Sequence, residues 1–333
     1  MTGGLKVGIA GAGLIAGVHA RAYSGVPGVE IVAISDPVEA KAQRLASQVG
    51  ARTVADAAAL IDLGVDIVSV CTPSPTHAGI AVSALEAGLS VLCEKPIART
   101  LEDGRRILAA SQGAAGILMV GHVSRFEPDH HQAKQVIDAG HLGQVQMMSH
   151  SITTSMPGWS EVGWLGDIEM SGGPLVDLAV HSFDFLSWAT GSHPVRVTCV
   201  GADTAVGPAT YALATLRYAT GAIALVEASW AHPASHGFKL STEFVGTDGR
   251  LSWDYDSIGG GFLHGTDRET VRFDPLGERG FQAEILAFVE AVRDGSPSPV
   301  PASDGFSALR TSLAALESLR TGTTIELSDG RVA

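Results

Sequence analysis

Six residues near the start of the chain, Gly11-Ala12-Gly13-Leu14-Ile15-Ala16, have the types and spacing to cradle a pyrophosphate. They follow the apolar run from Leu5 to Ala10 and open a helix-like segment, the strand-turn-helix context that gives a glycine pattern its weight. Gly11 permits a tight turn and Gly13 lets a phosphate approach the backbone. Ala16 keeps the helix close to the strand, while the first helical amides, with Leu14 and Ile15 among them, face the anion. Asp36 ends the next apolar run, 20 residues after Ala16. A carboxylate there accepts hydrogen bonds from the adenosine ribose hydroxyls and repels a 2′-phosphate, which favours NAD over NADP. An arginine such as Arg21 or Arg44 is the kind of residue that would reverse that preference. Glycines at strand ends are also ordinary turn residues, so the pattern gains its meaning from Asp36 and from the elements around it.

Those elements alternate. Apolar runs at Leu5–Ala10, Val29–Ser35, Ile67–Cys71, Ser90–Cys93 and Gly116–Val120 read as buried parallel strands. The segments Val38–Val49, Thr76–Ala87 and Leu101–Gln112 read as the helices that cross back between them, giving a doubly wound Rossmann sheet over residues 1–122. After Gly121 the rhythm changes. A helix-like stretch, Asp129–Ala139, precedes longer strand candidates at Gln144–Ile152, Val195–Cys199, Tyr211–Tyr218, Ala222–Trp230 and Lys239–Val245. Thr220-Gly221 and Thr247-Asp248-Gly249 are their turn signals. Residues 123–333 are therefore expected to form a second, α+β domain with a large open, mainly antiparallel sheet, within an α/β fold class overall. Phe281, Ile285, Phe288, Val289 and Val292 recur at helical spacing, as do Phe306, Leu309, Leu313 and Leu316. These last helices are expected to close the structure and to pack back on the first domain. Gly259–Gly261 reads as a loop.

Bulk properties exclude several functions. A chain of 333 residues suits two domains, and a formal net charge of -13 repels nucleic-acid backbones and anionic membranes. No apolar run approaches membrane-spanning length, and Met1–Gly4 is too short to hold a secretory signal. Cys71, Cys93 and Cys199 are too few for a disulfide framework, so the cytoplasm is the expected compartment. Asp129-His130-His131 lacks the spacing of a metal site, since adjacent histidines at a helix start point apart, and no metal is expected.

Further motifs stand at the carboxyl edge of the parallel strands. They are Cys71-Thr72-Pro73-Ser74-Pro75-Thr76-His77 and Leu92-Cys93-Glu94-Lys95-Pro96. Val120-Gly121-His122-Val123-Ser124-Arg125-Phe126 and the run from Gly172-Gly173-Pro174 through Asp177 to His181 follow. Together they resemble the glucose-fructose oxidoreductase, inositol dehydrogenase and rhizopine catabolism family, Gfo/Idh/MocA, over nearly the whole chain. The resemblance implies that Thr72, Pro73, His77, Glu94 and Lys95 join Gly11, Gly13, Leu14, Ile15 and Asp36 around the cofactor; His19 and His77 also resemble family positions, though packing of helices beneath the cofactor is the reading favoured for them. It also implies that Lys95 and His181 face the reacting hydroxyl, with Asp177 beside them. The chemistry fits those residue types. Histidine titrates near neutral pH and can accept the hydroxyl proton as hydride leaves, and an ammonium can stabilise alkoxide character on the oxygen. Asp177 and His181 are four apart, so on one helix they would share a face, with Asp177 binding or orienting.

Arg125, His150, Trp159 and Trp164 fall in segments that this family turns toward substrate. Aromatic faces pack on sugar C–H groups while polar groups read hydroxyls, so the implied substrate is a sugar or cyclitol, inositol-type first. The implied enzyme is an NAD(P)-dependent dehydrogenase acting on CH–OH groups. Two other readings share the fold: an NAD-dependent glycosidase that oxidises its sugar transiently, and an NAD-binding regulator without turnover. An exposed sheet face is an apolar liability in a monomer, so a homodimer or homotetramer through the second domain is expected.

Overall fold

The computed structural model describes residues 4–158, 164–255, 261–265, 270–273 and 280–327. The chain divides into two compact units, Met1–Phe126 with Glu278–Phe306, and Glu127–Gly277 with Ser307–Ala333.

In the first unit, strands and helices alternate as β1 (Leu5–Ala10), α1 (Leu14–Ser24), β2 (Val29–Ser35), α2 (Glu39–Val49), β3 (Arg52–Val54) and α3 (Ala57–Asp62). They continue as β4 (Ile67–Val70), α4 (His77–Glu86), β5 (Ser90–Glu94), α5 (Leu101–Gly113) and β6 (Leu118–Gly121). The six strands are parallel and lie in the order β3-β2-β1-β4-β5-β6. Val7, Ile9, Ile34, Val68, Val91 and Leu92 are fully buried. Strands covered by helices on both faces need such runs rather than alternation. Strand order reverses between β1 and β4, where Ala10 pairs with Val70. That reversal opens the crevice in which doubly wound sheets bind their ligands. Strand β3 and helix α3 were not legible in the sequence. Three and six residues are too few to display a period, and α3 is set instead by Asp56, whose side chain accepts a hydrogen bond from the Ala59 amide.

The second unit opens with α6 (Pro128–Asp138) and β7 (Val145–Thr153), followed by α7 (Ile168–Ser171), α8 (Gly173–Asp177) and α9 (Ala179–Thr190). Then come β8 (Pro194–Thr204), β9 (Gly207–Tyr218), β10 (Ile223–Ser229), β11 (Lys239–Gly246), β12 (Gly249–Asp254), β13 (Gly261–Gly265) and β14 (Val271–Phe273). Helix α10 (Gly280–Asp294) belongs to the first unit, where it packs on α1; α11 (Ala302–Thr321) and β15 (Ile325–Glu326) complete the chain. Among the described residues the second sheet has nine strands, ordered β14-β13-β12-β11-β7-β10-β9-β8-β15. Only β7 and β10 pair in parallel.

Here the strands do alternate. Met148, His150 and Ile152 of β7, and Ala224, Val226 and Ala228 of β10, turn inward onto a core that includes Phe183, Phe185 and Leu186 of α9. Met147, Ile223, Leu225 and Val200 point the other way and are exposed. A sheet covered by helices on one face only requires this pattern. Gly221, at φ +88°, makes the turn between β9 and β10, as its sequence signal implied. Among the described residues no helix is long and apolar enough to cross a membrane. The Gly259–Gly261 loop expectation falls largely outside the described residues.

Candidate active site

The glycine turn sits at the strand-order reversal, and the two glycines are small for different reasons. Gly11 has φ +100°, and a Cβ there would stand 2.5 Å from the carbonyl oxygen of Cys71. Side chains are excluded by the protein itself. Gly13 is the reverse case, because a Cβ built on it meets nothing within 4 Å. The fold does not demand its smallness; the space above it is open. Gly13 also caps α1 without a side-chain hydrogen bond, and the first turn holds no acidic residue, which leaves the helical amides to an anion. Leu14 is 60% exposed beside them and Ile15 is half-buried. Asp36 Oδ2 accepts from the Ala12 amide at 2.8 Å and Oδ1 from the Val38 amide at 2.8 Å, so the carboxylate braces the turn. Each oxygen keeps a lone pair for a ribose hydroxyl. These residues fit an NAD-type dinucleotide.

Thr72 and Pro73 lie on the exposed loop after β4, and Lys95 is half-buried immediately after β5, joined to Pro96 by a cis peptide. The side chains of His77 and Glu94 are both buried and bonded within the unit. His77 is buried, with Nδ1 3.0 Å from the Pro96 carbonyl and Nε2 2.8 Å from the Thr72 carbonyl. Burial lowers its pKa despite these carbonyls, so a neutral ring donates to one of the two and ties the loops together from below. The Glu94 carboxylate is turned inward, Oε1 at 2.8 Å from His19 Nε2 and Oε2 accepting from the Lys95 amide at 3.1 Å. Both side chains support the loops that face the crevice instead of facing it themselves.

In the second unit, Gly172 and Gly173 have φ +79° and +64°, and Pro174 follows in the first turn of α8. A Cβ on Gly172 would lie 2.4 Å from Val176, which explains the glycine in that motif. Asp177 and His181 do not share one continuous helix. Asp177 ends α8, Leu178 interrupts the helix, and His181 sits in the first turn of α9, its amide bonded to the Leu178 carbonyl at 3.1 Å. Leu178 keeps a near-helical backbone, φ -96° and ψ -54°, and both side chains are half-buried.

Two expected substrate residues have partners in the interior. His150 points into the sheet-helix core, 1% exposed, with Nδ1 2.9 Å from Ser182 Oγ and its ring beside His130 and Phe185. Burial, with His130 adding to it, lowers its pKa well below the ordinary value, so it is a neutral packing residue. The inward phase of β7 decides this. Arg125 lies in the first unit, 5% exposed, its Nη1 2.9 Å from Asp304 Oδ2 at the start of α11. Its charge is committed to an ion pair that only the returning chain supplies. Trp159 lies outside the described residues, and Trp164 opens a short 3-10 turn. His130 packs 4.1 Å from Phe185, and burial brings its pKa down to about 3. Sequence reading also passed over Glu284, fully buried in α10. The signal was present, since Glu284 stands between Phe281 and Phe288 on the apolar face.

Comparison with known proteins agrees with this architecture. Residues 5–122 match the family described as oxidoreductase family, NAD-binding Rossmann fold, and residues 130–252 match the GFO/IDH/MocA C-terminal domain. Inositol 2-dehydrogenase of Rhizobium meliloti (strain 1021) is 31% identical over 334 residues, covering 95% of this chain and 97% of its own. The structure of GenD2 from gentamicin A biosynthesis in complex with NAD superposes with a TM-score of 0.86 at 27% identity, covering 99% of this chain and 98% of its own. Levoglucosan dehydrogenase in complex with NADH and levoglucosan shares the fold, with a TM-score of 0.89 at 23% identity, covering 98% of this chain and all (100%) of its own.

Proposed function

The chain belongs to the Gfo/Idh/MocA family of oxidoreductases, and from that premise we propose that it transfers hydride between a secondary hydroxyl of a sugar or cyclitol and NAD. Inositol-type substrates come first, as in the relative named for that activity. The observation that carries the reading is the turn at Gly11 and Gly13, which is sterically forced on its inner side and open on its outer side. Asp36 favours NAD over NADP, because its carboxylate already stands against the turn and would oppose a 2′-phosphate.

When bound, the nicotinamide supplies the hydride acceptor. The chain supplies the proton chemistry. His181 takes the hydroxyl proton, Asp177 binds and orients the substrate, and the Lys95 ammonium donates to the reacting oxygen as negative charge gathers there. Trp159 and Trp164 are the proposed packing surfaces for a polyol ring. The test is direct: with NAD, and separately NADP, a panel of inositols and sugars should give stoichiometric reduced nicotinamide, followed by absorbance, with NAD the better acceptor. Leaving-group release without net reduction would instead support the glycosidase reading. Tight NAD binding with no turnover on any polyol would support the regulator.

The open face of the nine-stranded sheet is the proposed homo-oligomer contact. Met147 and Ile223 are paired across β7 and β10, Leu225 follows on the same strand, and all three are exposed. Light scattering at micromolar concentration should return a dimer or tetramer mass, and a monomer mass would sink the proposal. The three cysteines are free and buried, as suits the cytoplasm we propose for the protein, a placement cell fractionation would check.

A further inference from the structure

Beneath the carboxyl ends of β4 and β5, polar side chains from α1, β4, β5 and α10 meet in the interior of the first unit. His19 is fully buried on the face of α1 that also carries Ala16 and Tyr23. Its Nε2 lies 2.8 Å from Glu94 Oε1, and its Nδ1 lies 2.9 Å from Ser69 Oγ and 3.4 Å from Cys71 Sγ. Ligating atoms of Glu284, His19 and Glu94 all stand within 4.8 Å of one another. Burial alone would push the imidazole down and the carboxyl up. Cys71 and Glu94 outweigh burial at His19 and raise its pKa well above the ordinary value, while the His19 hydrogen bond and charge hold Glu94 below its own. The two side chains are therefore held together inside the unit, each favouring the other's charged form.

One oxygen of that carboxylate faces His19, and the other accepts from the Lys95 amide. Gly121, the partner of Glu94 on β6, presents no side chain to the carboxylate: a Cβ there would lie 3.1 Å from Oε1. A carboxyl group held on one side by a buried imidazole fixes the peptide on its other side. We infer that His19 is a positioning residue for Lys95: through Glu94 it sets the peptide that presents the ammonium, linking the dinucleotide-binding helix to the reacting group. This rests on the role of Lys95 in the proposed reaction. His19 does not touch substrate in this scheme; it acts through Glu94.

The experiment compares His19→Leu, His19→Gln and Lys95→Ala in the full-length protein, measuring turnover, substrate KM, NAD affinity by fluorescence and the thermal midpoint. His19→Leu removes the donor to Glu94 and is expected to lower kcat about 10- to 100-fold with KM and NAD affinity near their starting values, since small misplacements of a reacting group are costly. His19→Gln retains a side-chain N–H for Glu94 and should recover most of the lost turnover. Should His19→Leu fail to fold, Glu94→Ala, which removes the acceptor of the Lys95 amide, takes its place with the same expected fall in kcat. The inference is overturned if His19→Leu, or Glu94→Ala in its stead, turns over within about 2-fold of the parent. It is overturned equally if kcat, KM and NAD affinity all worsen together with the thermal midpoint, the mark of a merely structural role. Lys95→Ala separates the two claims. Loss of turnover there with none in the His19 variant defeats the positioning role alone, whereas full turnover in Lys95→Ala defeats the reading of Lys95 itself.

Discussion

Replacing Lys95 with alanine is expected to cut turnover about 10²- to 10³-fold, or about 3–4 kcal/mol of transition-state stabilisation, while NAD affinity stays near its starting value. The size follows from the role. An ammonium that donates to the reacting oxygen gains most of its interaction energy as alkoxide character develops, so its removal weighs on the transition state and little on the ground state. The fold should tolerate the change. Lys95 is half-buried just after β5, between Val91, Leu92 and Cys93 on one side and Pro96 and Ile97 on the other, all of them buried. Initial rates with a saturating polyol and a fluorescence titration with NAD would check both halves. A kcat within about 3-fold of the parent would remove Lys95 from the mechanism.

Gly11→Ala should damage the first unit itself, and Gly13→Ala should not. A Cβ at position 11 meets the Cys71 carbonyl oxygen at 2.5 Å and the carbonyl carbon at 2.8 Å, with φ at +100°. Neither backbone can retreat. The Gly11 amide is bonded to the Ser35 carbonyl at 2.7 Å, and the Cys71 amide to the Ala10 carbonyl at 2.8 Å. Backbone strain of this kind costs about 1–3 kcal/mol before the steric overlap is added. Gly11→Ala should therefore lower the denaturation midpoint and weaken NAD binding at least about 10-fold. Gly13→Ala leaves the protein's own contacts untouched, so it should unfold like the parent and lose affinity only. Equal stability loss in both variants would mean that Gly13 is as much a packing residue as Gly11, and that the open space above it is not reserved for a phosphate.

Much of the first unit was legible in advance because its signals are local. The second strand was read at Val29–Ser35 and forms at Val29–Ser35, since a β-branched apolar run bounded by Gly28 and Asp36 has few alternatives. The expectation that Asp177 and His181 share one helix did not anticipate their geometry. Leu178 interrupts the helix between them, and nothing in residue type announces that break.

The sequence by itself determined the dinucleotide domain, its glycine turn and the placing of Asp36 at the end of β2. These depend on the period of apolar residues and on steric limits within a few positions, which are properties of the chain before it folds. Tertiary structure alone decided which polar groups stay at the surface and which are taken inside. His150 became a core residue because β7 presents it to α9, and Arg125 became half of an ion pair because Asp304 returns from the far end of the chain. Glu94 turned inward because His19, 75 residues away in sequence, waits there fully buried. The state of such groups depends on desolvation and on partners brought from other elements, and those exist only after the strands have taken their places.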